Sequence, residues 1–120
     1  MREQIRDIQR LKHILEAIEN IQIFTKDSSY EAFLENKILQ FAVVKNFEII
    51  GEAAYRITKD LQKQNSHIQW ELIIKFRHVL VHDYYNIDLN TVWRAIHDKL
   101  QLLKKEIQTL LERIKASEEL

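Results

Sequence analysis

Apolar residues recur along this chain at intervals of three and four, the rhythm of helices that bury one face. Over residues 3–25, Ile5, Ile8, Leu11, Leu15, Ile18 and Ile21 share one side of a first helix. Lys26-Asp27-Ser28-Ser29 interrupts it, and Ser28 with Glu31 has the spacing of a capping box for the next helix. That second helix is predicted over 29–63, carrying Phe41, Val44, Phe47, Ala54, Ile57 and Leu61. Gly51 sits inside it. A glycine there costs about 1 kcal/mol relative to alanine, so it predicts close approach of another helix. Gln64-Asn65-Ser66 marks a further break, with Ser66 and Gln69 as a second candidate box. A third helix follows, ending near His82. A fourth opens at Asp88 and runs to about 116 with Trp93, Ile96, Leu100, Leu103, Ile107, Leu110 and Ile114 in the 3–4 spacing of a bundle seam. Residues 116–120 are expected to fray. The fold class predicted is all-α: an antiparallel bundle of four main helices in one domain over residues 1–120.

The third helix is unusual. At about 100° per residue, Glu71, Lys75, His78 and His82 form a polar stripe. Trp70, Ile73, Ile74, Leu80 and Val81 occupy the opposite side, and Leu72, Phe76 and Val79 another flank. A helix so apolar around its circumference is expected to be central. Arg77 falls on the apolar side, about 20° from Trp70. A guanidinium stays charged, and burying it unpaired is expensive. A carboxylate from another helix or an anionic ligand must compensate it. Glu48 and Glu52, four residues apart, offer the first; they could also be solvated, or do acid–base work.

Composition narrows the classes. No proline, one glycine and 46% apolar residues fit short connections between helices. The absence of cysteine leaves no disulfide framework or thiolate metal site. Met1-Arg2-Glu3-Gln4 leads into an amphipathic pattern without a signal-peptide core, and no apolar run approaches a membrane span, so a cytoplasmic protein is expected. Eighteen basic and 18 acidic residues leave no net charge. Any contact with RNA must come from a local patch. Lys75, Arg77, His78, His82, Arg94, His97 and Lys99 are candidates, diluted by Asp83, Asp88 and Asp98.

Arg77, His82 and Tyr84 form an R-x4-H-x-Y pattern. Metal-free RNA cleavage needs a base for the 2′-hydroxyl proton, an acid for the leaving 5′-oxygen and a cation for the crowded phosphorane. Imidazole titrates near neutral pH and can serve as acid or base; a guanidinium can hold two phosphate oxygens. Arg77 and His82 lie about 140° apart on a continuous helix. They converge only if the helix ends or unwinds before His82, or if two subunits share the site. A single such histidine per chain likewise makes a two-histidine mechanism easiest in a dimer. His78 and His82 could instead share a metal, but neither Asp83 nor His97 has diagnostic spacing for the two further ligands required. Trp70 and Trp93 read as core anchors, His13 and His67 as surface residues without a role.

The segment Phe76 to Tyr84, FRHVLVHDY, resembles the signature of HepT-like ribonucleases of the HEPN superfamily. Ala42 to Ala54, AVVKNFEIIGEAA, is similar to the family's second-helix pattern, and Ile68-Gln69-Trp70, Ile87-Asp88 and Val92-Trp93 match flanking pieces. Two features depart from it: many relatives carry asparagine where His78 stands, and a proline common before the motif helix is absent near His67. The resemblance implies a helical dimer whose two motifs face one cleft, acting as a metal-independent endoribonuclease toxin without a cofactor. It implies Arg77 and His82 as catalytic residues, with His78 and Asp83 in support. The implied partners are an RNA substrate and a minimal nucleotidyltransferase antitoxin, which transfers AMP to Tyr84. The competing reading is a non-catalytic helical dimer that binds a nucleotidyltransferase or a nucleotide.

Overall fold

The computed structural model describes residues 2–118, and among these the regular structure is entirely helical. Seven α-helices form instead of four: α1 (Arg2–Thr25), α2 (Tyr30–Glu35), α3 (Lys37–Arg56), α4 (Lys59–Gln64), α5 (Trp70–His82), α6 (Leu89–Asp98) and α7 (Leu100–Glu118). A 3-10 turn, Tyr84–Asn86, links α5 to α6.

The additional breaks have local causes. The predicted helix over 29–63 divides first at Asn36, whose Oδ1 accepts from the Leu39 amide at 3.0 Å and caps α3. Gln40 Nε2 meanwhile donates to the carbonyls of Phe33 and Leu34 at the end of α2. It divides again at Ile57, where the backbone extends. Thr58 then caps α4 while Asp7 of α1 accepts from its amide at 3.1 Å and its hydroxyl at 2.6 Å. The buried Asp7 thus clamps a break 51 residues away in sequence. The predicted helix over 88–116 kinks at Lys99, although Leu103 N still bonds to Lys99 O at 3.1 Å, which keeps the apolar rhythm nearly continuous.

Neither predicted capping box forms. Ser29, not Ser28, caps α2 by accepting from the Ala32 amide at 3.1 Å. Gln69 caps α5 without a side-chain bond; the Trp70 indole donates instead to Asn65 O at 3.1 Å, and Arg113 holds Asn65 Oδ1 at 3.2 Å. Asp88 caps α6 as its position predicts. Helix α7 continues to Glu118, past the predicted end near 116, and residues 119–120 lie outside those described.

Helix α1 runs antiparallel along α3, as the Asn20–Asn46 and Arg10–Arg56 hydrogen bonds require. Its buried stripe is Leu11, Ile14, Ala17, Ile18 and Ile21, rotated from the predicted one so that Ile5 is exposed. Helix α7 covers α1, and α5 lies along the other side of α3, with Phe47 and Phe76 edge to face at 5.2 Å. The core runs through α1, α3 and α7. Trp70 is buried in it, and Trp93 stacks on Tyr30 and Phe33.

Helix α5 is therefore not central. Only Trp70 and Leu80 are fully buried on it, while Leu72 and Val79 are 51% and 42% exposed. Its apolar circumference exceeds what its single main neighbour can cover. Among the described residues no helix is long and apolar enough to cross a membrane.

Candidate active site

Helices α3 and α5 meet at Gly51 and Arg77. A Cβ on Gly51 would lie 2.1 Å from Arg77 Cβ and 2.8 Å from its Cγ, so only glycine admits this crossing. The predicted close approach is thus made by the motif arginine itself. Lying along α3, the Arg77 side chain is 34% exposed and places Nη2 3.1 Å from Glu52 Oε2. Its Nε is buried without a hydrogen-bond partner. The other oxygen of Glu52 accepts from Arg56 Nε at 2.7 Å, so one carboxylate is divided between two guanidiniums. The compensation required of a half-buried arginine comes from Glu52, while Glu48 forms no ion pair among the described residues.

Arg77 lines a cleft of about 510 Å³ between α1 and α3. Arg6, Arg10 and His13 line it from α1, and Lys45, Glu48, Glu52 and Arg56 from α3. This basic patch differs from the one expected. Arg94 and Lys99 border a separate, mostly apolar pocket with Leu72 and Phe76. Sequence reasoning missed Arg6, Arg10 and Lys45, and it assigned His13 no role. Their signal was the spacing of Arg6, Arg10 and His13, which share a helix face; its significance needs α3 alongside.

The histidine end of the motif is built differently. Helix α5 is unbroken through His82, so the angular offset between Arg77 and His82 persists. Among the described residues no hydrogen bond or ion pair joins them. His82 is exposed, with its ring 4.1 Å from that of His78 one turn earlier. No third metal-ligating side chain gathers with this pair among the described residues. Asp83 is the C-cap of α5: its amide donates to Val79 O at 2.9 Å, and its carbonyl accepts from Asn86 N at 2.8 Å. It shapes the turn that presents Tyr84 and Tyr85, 73% and 80% exposed, with rings perpendicular at 5.4 Å.

Arg77 thus lines a basic cleft on one side of α5, while His82 at the end of that helix and Tyr84 in the 3-10 turn after it are exposed. Comparison with known proteins decides the family. The profile for Ribonuclease HepT-like proteins matches residues 14–110. This chain belongs to the HepT-like ribonuclease family. It is 36% identical over 115 residues to a Methanocaldococcus jannaschii protein provisionally named an RNase, covering 95% of each chain. A Thermococcus cleftensis protein provisionally named ribonuclease HepT is 36% identical over 100 residues, 83% of this chain and 91% of its own. A Caldanaerobacter subterraneus protein provisionally named an RNase is 30% identical over 105 residues, 88% of this chain and 94% of its own. No solved structure matches the chain significantly.

Proposed function

We propose that this HepT-like protein is a metal-independent endoribonuclease whose site is shared between two protomers. The observation that carries the reading is the unbroken α5: it holds Arg77 against α3 and turns His82 to solvent, within an otherwise intact R-x4-H-x-Y motif. One chain keeps the phosphate-binding cation and the proton-transferring imidazole on different sides. A second chain meeting the exposed side of α5 would bring its own motif opposite, and the exposed Leu72 and Val79 give that side an apolar surface to bury.

In such a site one His82 takes the 2′-hydroxyl proton and the 2′-oxygen attacks phosphorus. The bond to the 5′-oxygen breaks as a second imidazole protonates it, leaving a 2′,3′-cyclic phosphate and a 5′-hydroxyl. Arg77, drawn from Glu52 to the phosphorane, stabilises the charge that accumulates there. His78 packs on His82, and Asp83 fixes the turn behind it.

The exposure of Tyr84 supports it as an acceptor of AMP from a minimal nucleotidyltransferase antitoxin in a cytoplasmic toxin–antitoxin pair of the type VII kind. The added phosphate and adenosine would place charge and bulk where RNA must enter. The alternative, a non-catalytic dimer that binds a nucleotidyltransferase or nucleotide, is favoured by one observation: Glu52 already neutralises Arg77.

Incubating total RNA with the native chain, Arg77→Ala and His82→Ala in EDTA separates the readings. Cleavage by the native chain alone, with cyclic phosphate ends, is the expected result. Absence of cleavage by protein of unmodified mass would favour the binding module.

A further inference from the structure

The protein as a whole carries no net charge, yet the cleft between α1 and α3 gathers five cationic side chains against two carboxylates. Its cations differ in freedom. Arg10 is held by Arg56 O at 2.6 Å and lies near Asp7, while Arg56 and Arg77 share Glu52. Arg6 and Lys45 make no hydrogen bond or ion pair through their side chains among the described residues. Both are exposed. From Lys45 to Arg56 the α3 wall runs eleven residues, about 16 Å at 1.5 Å per residue. One strand of a duplex presents a charge roughly every 3.4 Å, so this wall exceeds a single phosphate. No Phe, Tyr or Trp lines the cleft, which leaves no ring on which bases could stack.

We propose that this cleft is a track for the backbone of single-stranded RNA passing Arg77, with Arg6 and Lys45 as its two free phosphate contacts. The inference rests on the ribonuclease reading for the identity of the polymer. An acidic peptide could meet the same charges, but the track runs past the arginine assigned to the scissile phosphate. A flexible polyanion with regular charges fits a line of cations lacking aromatic platforms, and its recognition there is independent of base sequence.

The test is anisotropy of a fluorescent 2′-O-methyl oligouridine, which lacks the attacking hydroxyl, titrated with the full chain in EDTA over a potassium chloride series. Each phosphate contact to a single strand adds about 0.7 to the slope of log affinity against log salt. Arg6→Gln with Lys45→Gln should therefore reduce that slope by about 1.4. Arg6→Lys with Lys45→Arg should restore it, and Lys105→Gln with Lys115→Gln on α7 should leave it unchanged. With cleavable RNA, the first pair should raise KM and spare the saturated rate. An unchanged slope in a native-binding protein overturns the track and leaves the nuclease reading standing. A lowered slope without any cleavage by the native chain does the reverse. Failure to bind the oligonucleotide, with capture of a polyglutamate peptide through Arg6 and Lys45, also overturns the track.

Discussion

The two ends of the R-x4-H-x-Y motif are built to different degrees of completion. At the Arg77 end, glycine admits the side chain, Glu52 pairs with it and a basic cleft opens beside it. At the His82 end, the imidazole meets one other imidazole, and Tyr84 projects from a three-residue 3-10 turn. A proton-transferring histidine works in a fixed orientation, which a hydrogen-bonding neighbour normally supplies. On the proposed ribonuclease reading, one chain builds the phosphate-binding half, and a second surface would organise the proton-transferring half.

That contrast orders the effects of substitution. His82→Ala removes the acid–base group from an exposed position, so cleavage should fall about 10²- to 10⁴-fold with the melting temperature nearly unchanged. Arg77→Ala should cost cleavage about 10²- to 10³-fold, the scale for losing one preorganised charge-stabilising group. Co-folding the two variants breaks or sharpens the comparison. If each site joins Arg77 of one protomer to His82 of the other, a mixed dimer retains one such pair with a single His82, and regains part of the activity absent from both parents. If the mixture stays as inactive as its components, the pairing lies within one chain.

Gly51→Ala attacks the finished end. Helix propensity alone would favour alanine by about 1 kcal/mol. The clash is between two Cβ atoms fixed by the backbones of α3 and α5, so no rotamer relieves it and α5 must shift. Overpacking of this kind costs about 1–3 kcal/mol and should win, lowering Tm by several degrees in a thermal melt. Adding Arg77→Ala should not rescue the fold, because a Cβ remains at position 77. Recovery of the native Tm in that double variant would show that the guanidinium stem, rather than the helix approach, sets the constraint.

The finished end was also the more legible one. A charged residue on an apolar face must be compensated, and the suspected carboxylate pair on the neighbouring helix contains its partner, Glu52. Gly51 announced a close crossing for reasons of propensity alone. Periodicity failed where a tertiary or side-chain bond overrides it: Asp7 ends the long helix near Thr58, and Asn36 starts α3 inside an apolar rhythm that reads straight through. It also placed α5 at the centre, because an apolar circumference does not say whether the covering surface belongs to the same chain. The basic cleft needs α1 and α3 side by side, a juxtaposition that no single helical pattern contains.

The smallest effect lies just beyond the unfinished end, at Asp88. Its carboxylate accepts from the Thr91 hydroxyl at 3.0 Å and from the amides of Thr91 and Asn90 at 3.3 and 3.0 Å. The Thr91 hydroxyl first, then these amides, hold it below the usual carboxylate range. A folded-state pKa lowered in this way means that the unfolded chain binds more protons between the two values, so stability rises with pH there. The contribution is fully present above the unfolded pKa and disappears as pH falls through the folded one. Asp88→Ala should therefore lower Tm slightly at neutral pH, and its difference from the native chain should close in acid. Asp88→Asn keeps a good N-cap acceptor and should retain most of the neutral Tm while flattening that acid limb. Both should still cleave RNA, since α6 begins after the motif. A loss of cleavage in Asp88→Asn would instead mean that the start of α6 holds the Tyr84 turn in place, extending the built region into the end that now looks open.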